Sequence, residues 1–188
     1  MVSAAVVTLT SVKVPTGRTG LVVPIPQAQA LLAGVRSRFD ASLALGVPPH
    51  VTVLFPFVDL PRILPEDTAA LSEVVGSQPA FEVTFARFGR FPRVLWLAPE
   101  PSEPFRRLTR ALAARWPDHP PYGGLYPEVV PHLTVADLQE AEGDVEPVFA
   151  EIEAALAFGL PFAARVAEVH LLAFDGARFS TRARLPLG

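Results

Sequence analysis

Two short motifs in the chain carry residue types that can exchange protons and bind an anion. The first is His50-Val51-Thr52-Val53 and the second is His132-Leu133-Thr134-Val135, and a proline precedes each histidine. The chain has only four histidines, so a matched pair of such motifs is poorly explained by coincidence. Because imidazole titrates near neutral pH, one histidine can be neutral while the other is protonated. The two motifs together can therefore supply a base and an acid.

The strand periodicity predicts that each histidine projects together with its threonine. Residues i and i+2 of a strand point to the same face, which pairs His50 with Thr52 and His132 with Thr134. These polar groups need partners, since an unpaired buried polar group costs roughly 1–3 kcal/mol. Either they satisfy one another structurally or a ligand satisfies them, and we interpret the matched pair as a site.

A cyclic phosphate is a ligand that suits these four groups. During its hydrolysis a neutral histidine takes a proton from the attacking water, and a protonated histidine gives one to the departing ribose oxygen. Threonine hydroxyls can hydrogen-bond the non-bridging phosphate oxygens. We expect this chemistry to need no metal and no other cofactor.

The elements around the two motifs recur in the same order. The pattern in each half is strand, helix, motif strand, helix, strand, and the last of these strands starts at Phe81 in the first half and at Phe162 in the second. The distance from His50 to Phe81 is 31 positions and that from His132 to Phe162 is 30. We interpret residues 162–174 as one strand and residues 178–185 as an added edge strand. The repetition indicates a duplicated unit.

The repeated pattern predicts two similar lobes, each a β-α-β-α-β half, with a central cleft that both motifs face. The prediction is a single domain over residues 1–188, with lobes at approximately 20–90 and 91–175 and terminal strands added.

Composition narrows the class of protein. Half of the 188 residues are hydrophobic and 19% are charged, which favours a folded core. No apolar run approaches the roughly 20 residues of a membrane-spanning helix, and residues 1–7 contain no basic region typical of a signal peptide. The absence of cysteine excludes disulfides, thiolate nucleophiles and cysteine-based metal sites. We expect a cytoplasmic protein, a monomer without a membrane partner.

The charge pattern favours a small anionic ligand. The net charge is −3, and Lys13 is the only lysine among 16 basic residues. Three groups of arginines could contact phosphate, although a solvated surface explains each group more simply. The groups are Arg87/Arg90/Arg93, Arg106/Arg107/Arg110 and Arg178/Arg182/Arg184. Without a basic stripe, a nucleotide or an RNA end carrying a cyclic phosphate fits better than a long duplex.

The paired motifs resemble those of the 2H phosphoesterase superfamily, and within it the 2′-5′ RNA ligase and RNA 2′,3′-cyclic phosphodiesterase group. That family carries two His-x-Thr/Ser-apolar motifs roughly 80 residues apart, and here the two histidines lie 82 positions apart. The segment Phe91-Pro92-Arg93-Val94-Leu95-Trp96-Leu97 is similar to the strand that opens the family's second lobe. The resemblance implies an α+β, bilobal fold with two pseudo-symmetric β-α-β-α-β halves and mainly antiparallel sheets around a central cleft. It also implies catalytic roles for His50 and His132, phosphate binding by Thr52 and Thr134, and a part in RNA processing.

Other functions and other site residues remain open at this point. The same cleft could bind a nucleotide or an RNA end without turnover, or join RNA halves as a 2′-5′ RNA ligase. A zinc site would need a third ligand beside the two histidines, for which Glu128 or Asp137 could approach.

Phe55 and Tyr126 could stack on a base, and Arg93 could reach a phosphate, although packing or a solvated strand edge also explains them. We interpret His119 as a solvated loop residue and His170 as a structural one.

Overall fold

The computed structural model describes residues 14–188. The prediction that residues 1–7 hold no signal peptide therefore lies outside the described residues. The described part contains eight strands: β1 (Thr19–Pro24), β2 (His50–Leu54), β3 (Phe81–Phe91), β4 (Val94–Glu100), β5 (Leu133–Asp137), β6 (Phe162–Val166), β7 (Glu168–Phe174) and β8 (Phe179–Pro186). Its α-helices are α1 (Gln29–Phe39), α2 (Ala41–Ala44), α3 (Pro65–Gly76), α4 (Glu103–Arg115) and α5 (Glu146–Leu156).

All eight strands form one sheet in the order β6-β3-β4-β5-β2-β1-β7-β8. Each pair of neighbours is antiparallel, which confirms the predicted α+β fold with antiparallel strands. The two motif strands, β2 and β5, lie side by side at the centre. The outer strands do not follow chain order, since β3 pairs with β4 and β6 while β7 pairs with β1. Each half of the sheet therefore draws strands from both halves of the sequence.

The segment 162–174 differs from the single strand that the sequence predicts. The structure divides it at Ala167 into β6, which pairs with β3, and β7, which pairs with β1. The burial pattern changes at the same point, from alternation in β6 to a nearly continuous buried run in β7. A run buried on both faces fits a strand that lies inside the sheet between β1 and β8.

One face of the sheet packs against the four longer helices. Alternate strand residues such as Val51, Leu97 and Leu133 belong to the same buried cluster as residues of α1, α3, α4 and α5. This cluster runs through strands of both predicted lobes. No helix among the described residues is long and apolar enough to cross a membrane.

Candidate active site

The two motifs meet where β2 pairs with β5. Val51 lies opposite Leu133 in this antiparallel pair, and both side chains are fully buried in the core. Continuing the register by one residue in each direction places His50 opposite Thr134 and Thr52 opposite His132. Because successive side chains alternate, these four half-buried residues project to the face that the long helices leave uncovered, here called the open face. The structure thus brings together the four residues that the motifs predicted as a site.

The loop before β2 holds His50 in a fixed position. His50 Nδ1 hydrogen-bonds the carbonyl oxygen of Pro48 at 2.8 Å, and the buried guanidinium of Arg36 donates to the carbonyl of Val47 at 3.0 Å. The carbonyl of Pro49 accepts a hydrogen bond from the backbone of Ile25 at 2.8 Å. Three consecutive carbonyls are therefore anchored, and the two prolines restrict the backbone dihedrals between them.

The second histidine is held in the same manner. His132 Nδ1 hydrogen-bonds the carbonyl oxygen of Val130 at 2.7 Å, again two residues before the histidine. A carbonyl can only accept, so Nδ1 carries the hydrogen in both rings, and Nε2 is the unprotonated nitrogen of each neutral imidazole. Each ring therefore presents Nε2 as its proton-accepting atom.

The surroundings favour the neutral form of both rings. Burial lowers the pKa of His50 to about 4, and the positive charge of Arg36 adds to this effect. Burial also lowers the pKa of His132 below its ordinary value of 6.5. Before a ligand binds, both histidines are therefore bases at neutral pH.

The two sides of the site have different chemistry. Next to β5, the cross-strand neighbour of Thr134 is Trp96, whose ring lies 5.1 Å from that of Phe91. Phe91 also meets the His132 ring edge to face at 5.0 Å. On the other side, the cross-strand neighbour of Thr52 is Val22. Val22 belongs to an aliphatic cluster with Val47 and Leu172, against which Leu45 and Phe179 pack.

Tyr122 is a site residue that the sequence reasoning missed. It lies in a turn at Pro121–Gly124, and its phenol lies beside the side chain of Thr52. Its backbone N–H donates to the carbonyl of Phe55, directly after β2, at 2.6 Å. The sequence signal was the Pro-Tyr-Gly-Gly turn, but nothing in it indicates which strand the turn contacts.

The structure places the other predicted contacts less centrally. Phe55 is half-buried against Gly20, and Tyr126 is 61% exposed with its ring against that of Tyr122. Arg93 donates to the carbonyls of Leu138 at 3.0 Å, Gly143 at 3.1 Å and Ala141, so this side chain holds the loop after β5. The Arg93 guanidinium is therefore engaged by three backbone carbonyls.

The remaining histidines lie outside the four-residue group. The ring centroid of His119 lies 5.9 Å from that of Phe57. The buried His170 forms a hydrogen bond between its Nε2 and Oε1 of Glu168, at 2.7 Å. Of the two acids considered as metal ligands, Glu128 forms an ion pair with Arg106. Across residues 14–188, no three histidine or acidic side chains lie close enough together to hold a metal ion.

Several known proteins resemble this chain. A profile of the 2′-5′ RNA ligase superfamily matches residues 23–178. A proposed phosphoesterase of Geobacillus kaustophilus is 28% identical in an alignment 133 residues long that covers 65% of this chain and 71% of that protein. The structure of TT0787 from Thermus thermophilus superposes with a TM-score of 0.62 at 20% identity, covering 90% of this chain and 97% of the other. The structure of E. coli LigT complexed with 3′-AMP superposes with a TM-score of 0.56 at 21% identity, covering 90% of this chain and 97% of LigT. The two structural matches show a shared fold.

Proposed function

The chain belongs to the 2′-5′ RNA ligase superfamily, as its paired motifs predicted, and we propose that it is a metal-independent phosphodiesterase that opens 2′,3′-cyclic phosphates. The observation that carries the proposal is the placement of His50, Thr52, His132 and Thr134 on the open face, around the central pair of strands. Two groups able to exchange protons and two hydroxyl donors are thereby available to one phosphate.

In the proposed reaction the two histidines act on opposite sides of phosphorus. His50 accepts a proton from the attacking water while the water oxygen bonds to phosphorus. The bond from phosphorus to one ribose oxygen breaks, and protonated His132 gives that oxygen a proton. Water and the cyclic diester become a phosphate monoester with a free hydroxyl. The proton that left His132 is balanced by the one gained at His50, and exchange with solvent restores the pair. Thr52 and Thr134 donate to the non-bridging oxygens.

We assign the base to His50 because its surroundings disfavour a positive charge most strongly. Burial and the nearby Arg36 guanidinium lower its pKa to about 4. The pKa of His132 is lowered by burial alone, and Arg36 is not among the groups acting on it. An anionic phosphate beside His132 favours the protonated ring, which is the form that an acid requires.

The likeness to LigT supports a nucleotide or RNA end as the substrate. Structures of E. coli LigT have been solved with 3′-AMP, NADP+ and phosphate. In this chain the aromatic side of the site, formed by Phe91 and Trp96, offers ring surfaces suited to a base. The proposed substrate is therefore a nucleotide or an RNA end that carries a cyclic phosphate.

The test is turnover of 2′,3′-cyclic AMP and of a short RNA ending in a cyclic phosphate, both in the presence of EDTA. We expect turnover by the wild type, and a loss of at least about 10²-fold in His50→Ala and in His132→Ala, the usual effect of removing a general acid or base. His119→Ala is the matched control, because the ring of this histidine packs against that of Phe57 and it is not one of the four site residues. Circular dichroism and thermal melting establish that each variant is folded.

The other outcomes identify the competing functions. Tight binding of both substrates without turnover would indicate a binding module, and formation of a 2′-5′ bond between RNA halves would indicate a ligase. Turnover that EDTA abolishes would contradict the metal-independent mechanism. Full activity in either histidine variant would contradict the acid/base assignment.

A further inference from the structure

Tyr122 approaches the site from a turn that is tightly held. Its backbone dihedrals are φ 52° and ψ 31°, in the left-handed region that residues other than glycine rarely adopt. Such a conformation costs free energy and persists where the surroundings impose it, often near functional sites. Here the backbone N–H of Tyr122 is fixed to the Phe55 carbonyl at 2.6 Å. The turn therefore holds the phenol beside Thr52.

The hydrogen bonds from Pro48 to Thr52 have one consistent direction. His50 Nδ1 must donate to the Pro48 carbonyl, so the neutral ring can only accept at Nε2. Nε2 lies 3.1 Å from Thr52 Oγ1, and the single hydroxyl hydrogen of Thr52 is therefore directed to His50. Thr52 then has no hydrogen left for Tyr122, so in any hydrogen bond between the two hydroxyls Tyr122 is the donor. Burial raises the pKa of Tyr122, which keeps the phenol protonated and able to donate.

The second motif has no equivalent chain of hydrogen bonds. Within residues 14–188, neither Thr134 Oγ1 nor His132 Nε2 makes a hydrogen bond to another protein group. The two matched motifs are therefore unequal: Thr52 is supported by a phenol, whereas Thr134 lies beside the Trp96 ring.

We propose that Tyr122 is a third hydroxyl donor to the phosphate, beside Thr52 and Thr134. When a phosphate oxygen replaces His50 Nε2 as the acceptor for Thr52, His50 is released to accept a proton from water. The Tyr122 hydroxyl, adjacent to Thr52 Oγ1, then donates to the same phosphate. This inference rests on the proposed function for its role in turnover, but the phosphate contact itself can be measured without turnover.

The test is binding of inorganic phosphate, followed by calorimetry, to the wild type and to Tyr122→Phe. The substitution removes the hydroxyl and keeps the ring and the backbone N–H. We expect affinity for phosphate to fall by about tenfold to a hundredfold, as for one hydrogen bond to a charged group. Where cyclic phosphate is turned over, kcat should fall by a similar factor, since the contact persists as charge shifts at phosphorus. Thr84→Val is the matched control, a hydroxyl removed from the same face at the distant strand β3.

The outcomes separate this inference from the proposed function. Weaker phosphate binding in Tyr122→Phe alone supports the contact, even if no cyclic phosphate is ever hydrolysed. Equal binding by the wild type and Tyr122→Phe overturns it, whatever the turnover. An equal loss in Tyr122→Phe and Thr84→Val, or a loss accompanied by a lower melting temperature, would assign the effect to stability and overturn the contact as well.

Discussion

Val53 in β2 and Val135 in β5 are the additional residues of two matching β-bulges. In the first, Val22 pairs with Thr52 and Leu21 with Leu54, which leaves Val53 unpaired. In the second, Trp96 pairs with Thr134 and Leu95 with Ala136, which leaves Val135 unpaired. Each bulge follows its threonine by one residue, and the two valines are 82 positions apart, as the two histidines are. Bulges re-aim side chains and are common beside active sites. This matched register is what the predicted duplication would produce.

The first prediction concerns the two threonines before these bulges. Thr52→Val and Thr134→Val each remove a hydroxyl donor while keeping a β-branched side chain of similar size. We expect kcat on 2′,3′-cyclic AMP to fall by about 10²-fold in each variant, as for the loss of one donor that stabilises developing charge. The measurement is steady-state kinetics with separate kcat and KM values.

The control for the threonine variants is Thr84→Val, because Thr84 lies on the open face in β3, outside the four-residue group. Its kcat should stay within about threefold of the wild type, since no hydrogen bond to the phosphate is removed. Unchanged kcat in both Thr52→Val and Thr134→Val would contradict phosphate binding by these hydroxyls.

The second prediction is an acidic optimum for kcat/KM. The base must be neutral, so activity should rise as the pH passes the His50 pKa of about 4. The acid must be protonated, so activity should fall as the pH rises through the His132 pKa, which lies below 6.5. We expect the optimum between these limits. The measurement is kcat/KM from pH 3.5 to 9, with the fold monitored by circular dichroism at each pH.

The profile of kcat should differ from that of kcat/KM. A bound anionic phosphate favours the protonated histidine, so the alkaline limb of kcat should lie at higher pH than that of kcat/KM. A kcat/KM that stays constant from pH 5 to 8 would contradict titration of this pair.

The sequence predicted the four central residues because each motif obeys one strand rule and the two motifs occupy matching places in the repeated pattern. Positions i and i+2 share a face, so His50 with Thr52, and His132 with Thr134, could be paired from their spacing. The α+β fold with antiparallel strands was predictable from the resemblance of the paired motifs to a known family, because strands that alternate with helices would by themselves favour a parallel sheet. The order of the strands was not, since pairing between β7 and β1 joins residues about 150 positions apart and leaves no local signal.

Two contributors to the site depend on contacts that no local pattern encodes. Tyr122 reaches Thr52 because its turn is hydrogen-bonded to Phe55, 67 positions earlier in the chain. Arg36 lies on α1 directly before the exposed Ser37 and Arg38, yet its side chain is only 2% exposed. An arginine is rarely buried without a partner. Its buried position becomes clear only when the loop before His50 folds back over α1.

The third prediction concerns the buried ion pair of Arg36 and Asp40, whose side chains are 2% and 4% exposed and lie 2.6 Å apart. Asp40→Asn removes the negative charge and leaves the guanidinium buried and uncompensated. Asparagine can still cap α2, so the change isolates the charge. We expect the free energy of unfolding to fall by about 3–5 kcal/mol. The measurement is equilibrium urea denaturation.

A surface pair provides the comparison for this variant. Arg165 and Glu82 lie 3.3 Å apart with side chains 68% and 65% exposed. Because water and salt screen such a pair, Glu82→Gln should cost less than about 1 kcal/mol. Equal effects of Glu82→Gln and Asp40→Asn would show that the buried pair contributes no more than an exposed one.

The fourth prediction compares two glycine-to-alanine substitutions. A Cβ at Gly89 in β3 would overlap the ring of Trp96, whereas a Cβ at Gly34 in α1 would meet nothing within 4 Å. Gly89→Ala must displace a ring that borders Thr134 and lies 6.1 Å from that of His132. It should therefore cost about 1–3 kcal/mol of stability and also lower kcat/KM. Gly34→Ala should instead stabilise the protein by about 0.5–1 kcal/mol, because alanine favours the helix, and leave kcat/KM unchanged.

Urea denaturation measures the change in stability of each glycine variant, and turnover of 2′,3′-cyclic AMP measures the change in kcat/KM. Wild-type kcat/KM in Gly89→Ala, together with a loss of stability, would show that the Trp96 ring supports the sheet but not the site.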